Sequence, residues 1–462
     1  MRFRRTPCAL GFALASLVVA QPALAKWAMY NADPAGSRTN PREHRLGPTT
    51  VGTLHVRWSF PTAGAVTATP VVSGSRVYVG DQSGHVHALS ARDGRLLWTT
   101  PVVGPVTASA LIAKRVVVGD LAGYVYGLDR RTGAIVWQIR PDAHPLAEIF
   151  GSATSIGRYA AIGVASIESF VARDPMYPCC NARGSVVLLD PRDGRIVWQT
   201  YMISDVDHAA GSSGASVWST PTYDRQLGLV YVTTGQNFSQ PATGTSDAVL
   251  ALDAKTGAIR WINQRLPNDV WIARFGPPDG VDLDIGDSAQ VYALPSGQKV
   301  VGAGQKSGFF HVLDAATGAE VAVEQFVPPG GNGGLFADSA VAGGIVFANG
   351  SNWPGGGPPV TGSLVAFTGD ASQELWRFDV PGTANMAGVA VANGVVYFES
   401  YQGGTLYALS AVTGAPLAAI AIGTSASGPA VDRGQVYAGT GDPFQLIFTG
   451  TPAPGSVLAL GP

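Results

Sequence analysis

The sequence predicts an all-β, eight-bladed β-propeller closed into a ring by its own ends, and three observations carry that prediction. The first is repetition. Eight times a run of small and β-branched residues leads into an apolar ladder, which usually closes on Asp-x-x-Thr-Gly or Asp-x-x-Asp-Gly followed by Trp. The clear copies start near His85, Tyr124, Ser185 and Ala248 and end at Trp98, Trp137, Trp198 and Trp261; weaker ones follow at residues 309–318, 363–376 and 405–414, and Ser456–Leu460 stops short of its Trp. Units too exposed to stand alone reach a core only by stacking on their neighbours. The second is the layout of one copy. Val71-Val72, Arg76–Gly80, Val86–Leu89 and Leu96–Trp98 are short β-rich runs separated by Ser-Gly, Ser-Gly and Asp-Gly turns, the pattern of a four-stranded blade. The third is closure. Leu54–Phe60 reads like the strand that ends the other blades and supplies the one that the last copy lacks, so pairing the termini hides the sheet edges.

Composition agrees. With 462 residues, 46% hydrophobic, 13% charged and 59 glycines, the chain has ample material for a core and little for solvated helices. Ring closure makes one domain of residues 26–462, against the two or three that average domain size suggests. A formal net charge of −2 excludes a nucleic-acid footprint. At the start, Met1–Arg5 is a basic segment, Ala9–Ala20 is apolar and Ala23-Leu24-Ala25 is a cleavage pattern, so residues 1–25 read as a secretory signal peptide. No later apolar run reaches the roughly 20 residues needed to span a bilayer, which predicts a soluble exported protein, most simply periplasmic. Cys8 leaves with the signal. Cys179 and Cys180 then remain, either as thiols or bonded to each other or between chains.

The copies are lean up to Trp137 and longer afterwards, through added chain at 165–182, 201–217, 237–247 and 263–287. Insertions in propellers gather in loops on one face, where sites are built. In or beside them stand Glu168 at a strand end, Trp218 at the start of a strand facing the channel, and the amides Gln236 and Asn237. Asp282, Asp284 and Asp287 follow at near-alternate positions, and Lys306 occupies the tight turn Gln305–Gly308. Singly, these are ordinary: a turn cap, a core indole, solvated carboxylates, a surface lysine. Registry lifts the set, because equivalent strand ends of blades three to five would aim it into one central funnel. Carboxylates and an amide converging there suit a hard cation, Ca²⁺ foremost.

Through these residues the sequence resembles the pyrroloquinoline-quinone (PQQ) alcohol dehydrogenases, most closely their polyvinyl-alcohol dehydrogenase-like branch. The likeness runs from Trp27–Tyr30 with Asp33, Ser37 and Arg38, through Tyr177–Cys180, Arg183–Val187, Gly214–Ser219, Gly228–Val232, Ser246–Ala248 and Pro267–Trp271, to Gly302–Gly308. It implies oxidation of alcohols with PQQ and Ca²⁺. It implies that Trp218 carries the quinone ring, that Lys306 hydrogen-bonds its carbonyls, that a Cys179–Cys180 disulfide lies against its opposite face, and that Arg183 and Asn352 add cofactor contacts. Glu168 matches the calcium-ligating glutamate, Gln236 or Asn237 and Asp282 complete the metal site, and Asp282 or Asp284 is the catalytic base. Two departures stand out: the family's Gly-Thr-Gly-Asn is here Thr234–Asn237, and Val281 and Leu283 replace the aromatic residues around the base. The chain has no Cys-x-x-Cys-His, so electrons must leave to a separate acceptor such as a soluble cytochrome c. The rival expectation is a non-catalytic propeller of the outer-membrane assembly type, and a third is an enzyme relic that has lost its metal.

Overall fold

The computed structural model of the protein describes residues 27–273, 282–352 and 361–462. The signal segment 1–25, Val281 and the Gly/Pro run Pro354–Pro358 lie outside the described residues. Eight antiparallel sheets follow one another along the chain. Blade 1 is built from Val71–Ser73, Arg76–Asp81, His85–Ser90 and Leu96–Pro101, each strand paired with the next, and blades 2 to 7 repeat that order. Blade 8 holds Ala430–Asp432, Gln435–Thr440 and Gly455–Gly461, and its outermost strand is His55–Thr62 from the other end of the chain, paired from His55 opposite Gly461 to Thr62 opposite Gly455. The expected ring closure is therefore present. The first strands of the blades meet edge to edge around the axis, from blade 3 through blades 4 to 8 and on to blades 1 and 2.

The Asp-x-x-Thr-Gly…Trp signature has a packing cause. The Trp of one blade's last strand lies on the turn of the next blade: Trp98 Nε1 donates to Arg130 O at 3.3 Å, Trp198 Nε1 to Ala254 O at 3.2 Å and Trp261 Nε1 to Ala315 O at 3.2 Å. The turn glycine makes room for the indole. Gly257 has φ 74°, and a Cβ there would stand 2.7 Å from the Trp198 ring. Blade 5 ends without Trp, and its junction to blade 6 is filled instead by Phe326 stacked on Phe367 at 3.9 Å. Between blades the buried faces are mostly Val, Ala and Leu, which fit sheet-on-sheet packing.

The segment before the blades is a strap across the ring. Backbone N–H groups of Val72, Ile112, Tyr223, Val291, Val341 and Val391, in the innermost strands of blades 1, 2, 4, 5, 6 and 7, donate to carbonyls of Trp27, Ala28, Pro34, Ala35, Ser37 and Arg38 at 2.7–3.0 Å. Asn40 Nδ2 donates to Val431 O of blade 8 at 2.8 Å. The strap thus satisfies inner-edge groups that a ring would otherwise leave unpaired. Arg38, fully buried, lies over the Tyr30 ring at 4.5 Å and donates to Val389 O at 2.6 Å.

Candidate functional site

The predicted residues divide into a group that meets at the axis and a group that holds loops. Trp218 belongs to the first. It stands in the connection ahead of strand Thr222–Asp224 rather than inside a strand, fixed because Val217 N donates to Val164 O of blade 3 and Gly235 N donates to Ser216 O. Lys306 occupies the blade 5 turn between Lys299–Gly304 and Phe309–Asp314, as expected, and Gly308 at φ 83° makes that turn tight. Its ammonium lies 5.6 Å from the Trp218 ring centroid. It donates to Asp282 Oδ1 at 2.5 Å and to Asp284 Oδ2 at 3.0 Å, while its backbone N donates to Asp284 O. Asp284 is doubly committed, since its Oδ1 accepts from Gln236 N at 3.0 Å. Asp282 directs its other oxygen, Oδ2, toward Gly331.

Trp218 and Lys306 open on an axial cavity of about 300 Å³ lined also by Phe150, Gly286 and Gly331, and Asp282 and Asp284 adjoin it through the Lys306 ammonium. Phe150 meets the Trp218 indole edge-on at 6.0 Å. Gly286 is a required close approach, because a Cβ there would sit 2.3 Å from the indole; one on Gly235 would sit 2.7 Å from Asp284 Oδ1.

Burial opposes the Lys306 charge, but Asp284 and Asp282 outweigh it and hold the ammonium above the ordinary lysine range. Burial pushes Asp282 up to about 6, with Lys306 pulling against it and Asp284 adding to it. The two shifts look opposed and share one cause. A single cation serves two carboxylates, so the cation is over-compensated and one carboxylate under-compensated. Asp247 deepens the imbalance: it is fully buried, both carboxylate oxygens lack a hydrogen bond among the described residues, and burial with Asp284 and Asp269 nearby drives its pKa well up.

The second group organises loops. Glu168, fully buried, accepts from Tyr177 Oη at 2.9 Å and Asn181 N at 3.0 Å through Oε1, and from Ala182 N at 2.7 Å through Oε2. It thereby clasps the loop that carries the Cys179–Cys180 disulfide. Asn237 accepts from Thr243 N at 2.8 Å and donates to Ser213 O at 2.9 Å, pinning another inserted loop. Gln236 Nε2 donates to Trp271 O at 3.4 Å. Arg183 turns to Asp205 at 2.8 Å and stacks over Tyr201 at 4.0 Å. Asn352 ends a blade 6 strand opposite Thr361. Of the predicted site residues only Trp218 and Lys306 line the axial cavity; Cys179, Cys180, Arg183, Glu168 and Asn352 do not, nor do the carboxylates and amides around Lys306. Asp287 is structural, accepting from Gly304 N at 3.0 Å in blade 5 and from Ser339 N at 3.1 Å in blade 6.

The donor set suits a flat anionic ring: an indole face, a buried ammonium beside it, and glycines where side chains would block the approach. The cation is different. Glu168 and Asn237 already use both polar ends within the protein, and among the described residues no three His, Cys, Asp or Glu side chains form a group able to hold a metal. As arranged, Glu168 and Asn237 are committed to holding loops, while of the Gln236 side chain only the amide nitrogen is engaged, at Trp271 O. Two residues of the site carry almost no mark in the sequence: Asp247 lies inside the Ser246–Ala248 run, and the sole signal of Phe150 is its place one loop ahead of blade 3.

Ring, strap and axial cavity define an eight-bladed β-propeller with a site at its hub. A family model described as outer membrane protein assembly factor BamB matches residues 52–261 and 360–449, and the chain belongs to that family. Over 450 residues it is 27% identical to a polyvinylalcohol dehydrogenase of Sphingopyxis sp. (strain 113P3), covering 84% of this chain and 68% of the relative. It is 27% identical over 302 residues to a polyvinylalcohol dehydrogenase of Pseudomonas sp., covering 60% of this chain but only 47% of that one. Its fold matches a quinohemoprotein alcohol dehydrogenase of Pseudomonas putida HK5 with a TM-score of 0.79 and 20% identity, over 95% of this chain and 80% of that one. The expected resemblance to quinoprotein alcohol dehydrogenases is borne out. Among the described residues no helix is long and apolar enough to cross a membrane.

Proposed function

We propose that the protein is a PQQ-dependent oxidoreductase that oxidises alcohol groups, with secondary alcohols or polyvinyl alcohol among its substrates, and passes electrons to a separate acceptor such as a soluble cytochrome c. Residues 1–25 would direct export to the periplasm, leaving 26–462 as one domain. The observation that carries this reading is the convergence of Trp218 and Lys306 at one cavity, with Asp282 and Asp284 bound to the Lys306 ammonium, together with relatives over most of the chain that bear dehydrogenase names.

A bound quinone would supply the hydride acceptor. The chain's own residues do the rest. Trp218 offers a flat apolar bed, and Lys306, kept charged by its two carboxylates, would donate to a carbonyl oxygen of a group bound there. Asp282 is the better base of the two, because its Oδ2 points toward cavity-lining Gly331 while both oxygens of Asp284 are engaged. At about 6, its pKa leaves it ionised at neutral pH and still basic enough to take an alcohol proton. Calcium would be held by the oxygens of Glu168 and of Gln236 or Asn237, of which Glu168 and Asn237 now accept hydrogen bonds within the protein. The Cys179–Cys180 disulfide, Arg183 and Asn352 are assigned to shaping the rim.

The second reading, a binding scaffold, is favoured by the description of the matching family model. One experiment separates the two. The purified chain is mixed with PQQ, with and without Ca²⁺, and dye reduction by several alcohols is followed alongside the melting temperature. Turnover with a quinone-dependent rise in melting supports the enzyme; neither effect, under either metal condition, leaves the scaffold.

A further inference from the structure

Blade 8 carries an addition that the site above does not use. Its second and third strands, Gln435–Thr440 and Gly455–Gly461, are joined by residues 441–454, where blade 1 needs only Gln82–Gly84. This connection is a built element. It contains one helical turn, Gln445–Thr449, stopped by Gly450 at φ 72°. Asp442 moors it by accepting from Tyr401 Oη of blade 7 at 2.7 Å and from Phe444 N at 2.9 Å, and Gln82 Nε2 of blade 1 donates to Pro443 O at 3.2 Å.

From Pro443 to Gly455 there is no charged side chain. Pro443, Phe444, Leu446 and Ile447 line the same cavity as Trp218 and Lys306, while Ile447 remains 45% exposed and Phe448 75% exposed. Exposed apolar groups clustered at a cavity mouth mark a surface that is covered in use. The cavity is thus amphipathic along its length, with the Lys306 ammonium and the Asp338 carboxylate inside and an aliphatic and aromatic lip at one side. A ligand matching that order places its hydroxyl inward and lays a hydrocarbon chain along the lip.

We propose that the blade 8 flap binds the aliphatic part of the substrate and makes the protein select alcohols with a long hydrocarbon chain over short ones. This rests on the proposed function for the fate of the hydroxyl, and on the flap alone for chain binding. Each methylene buried there strengthens binding roughly fourfold.

The test compares 2-octanol with isopropanol on the full chain, as wild type and as Leu446→Ser/Ile447→Ser, with a melting curve to confirm that the variant folds. Titration calorimetry without quinone reads binding, and dye reduction with quinone reads KM and kcat. The wild type is expected to bind 2-octanol at least about tenfold more tightly than isopropanol; the variant is expected to lose that preference, raising KM for 2-octanol with kcat unchanged. A wild type without the preference, or a variant that keeps it, overturns the proposal. Should neither alcohol be oxidised while the calorimetric preference is present and lost in the variant, the flap assignment stands and the oxidoreductase reading falls. If the double variant fails to fold, Ile447→Ser alone, at a half-exposed position, is read by the same two criteria.

Discussion

Replacing Glu168 by Gln separates a loop clasp from a metal ligand. In the structure the Glu168 carboxylate accepts from Tyr177 Oη and from the backbone N–H groups of Asn181 and Ala182, at 2.7–3.1 Å. The Tyr177 hydroxyl registers the same contact, its pKa pushed up to about 12 by burial and by this carboxylate. Gln keeps one acceptor but turns an N–H toward donors and removes the charge. Hydrogen bonds to a buried ion contribute about 1.5–3 kcal/mol each, so losing one and weakening another costs about 3 kcal/mol. In a chain of this length that lowers the melting midpoint by about 3 °C. The assay is a thermal melt of both proteins in chelator, repeated with Ca²⁺. If Glu168→Gln melts with the wild type in chelator and differs only by losing a calcium-induced rise, the clasp assignment is wrong and the residue ligates metal.

Lys306→Met leaves Asp282 and Asp284 without their shared cation, which should cost about 3–5 kcal/mol at neutral pH and abolish any quinone-dependent rise in melting. The loss should shrink on acidification as the carboxylates take up protons, and a variant equally unstable at acid and neutral pH would contradict the ion-pair account. A separate pH dependence follows from Glu148, which burial pushes up to about 8, and Glu399, pushed up to about 7 by burial against the Ser425 hydroxyl and backbone donors. The folded state holds these protons more tightly than the unfolded chain, so their contribution is complete below about pH 4.5 and is lost as pH rises through 7 and 8. Melting should therefore fall across that window, and Glu148→Gln should flatten the fall; a curve of unchanged slope would sink the assignment.

What the sequence disclosed follows from how local each cause is. The blade count was legible because every Trp–turn contact repeats the same few residues, and the ring closure because Leu54–Phe60 carries that signature away from its partners. Lys306 was legible because it lies in a turn whose position in a blade the repeat defines, and Trp218, Asp282 and Asp284 because they stand just ahead of the first strands of blades 4 and 5. The use made of Glu168 was not. Its partners, Asn181 and Ala182, come from an inserted loop whose path no periodicity describes, so a carboxylate at a ligand position and one at a clasp position read alike. The roles of Asn237, held by Thr243, and Arg183, drawn to Asp205, were hidden for the same reason. Asp247 was overlooked because isolation from hydrogen-bond partners is a property of the packed site and leaves no mark on residue order.

The strap that crosses the inner strands acts as a gauge for the size of the ring. Its carbonyls are spent one after another on blades 1, 2, 4, 5, 6 and 7, and an amide serves blade 8. A disc assembled with one wedge too few or too many would strand several of those groups away from water. The count of wedges is thus verified twice over, once at the seam where the two ends pair and once at the hub.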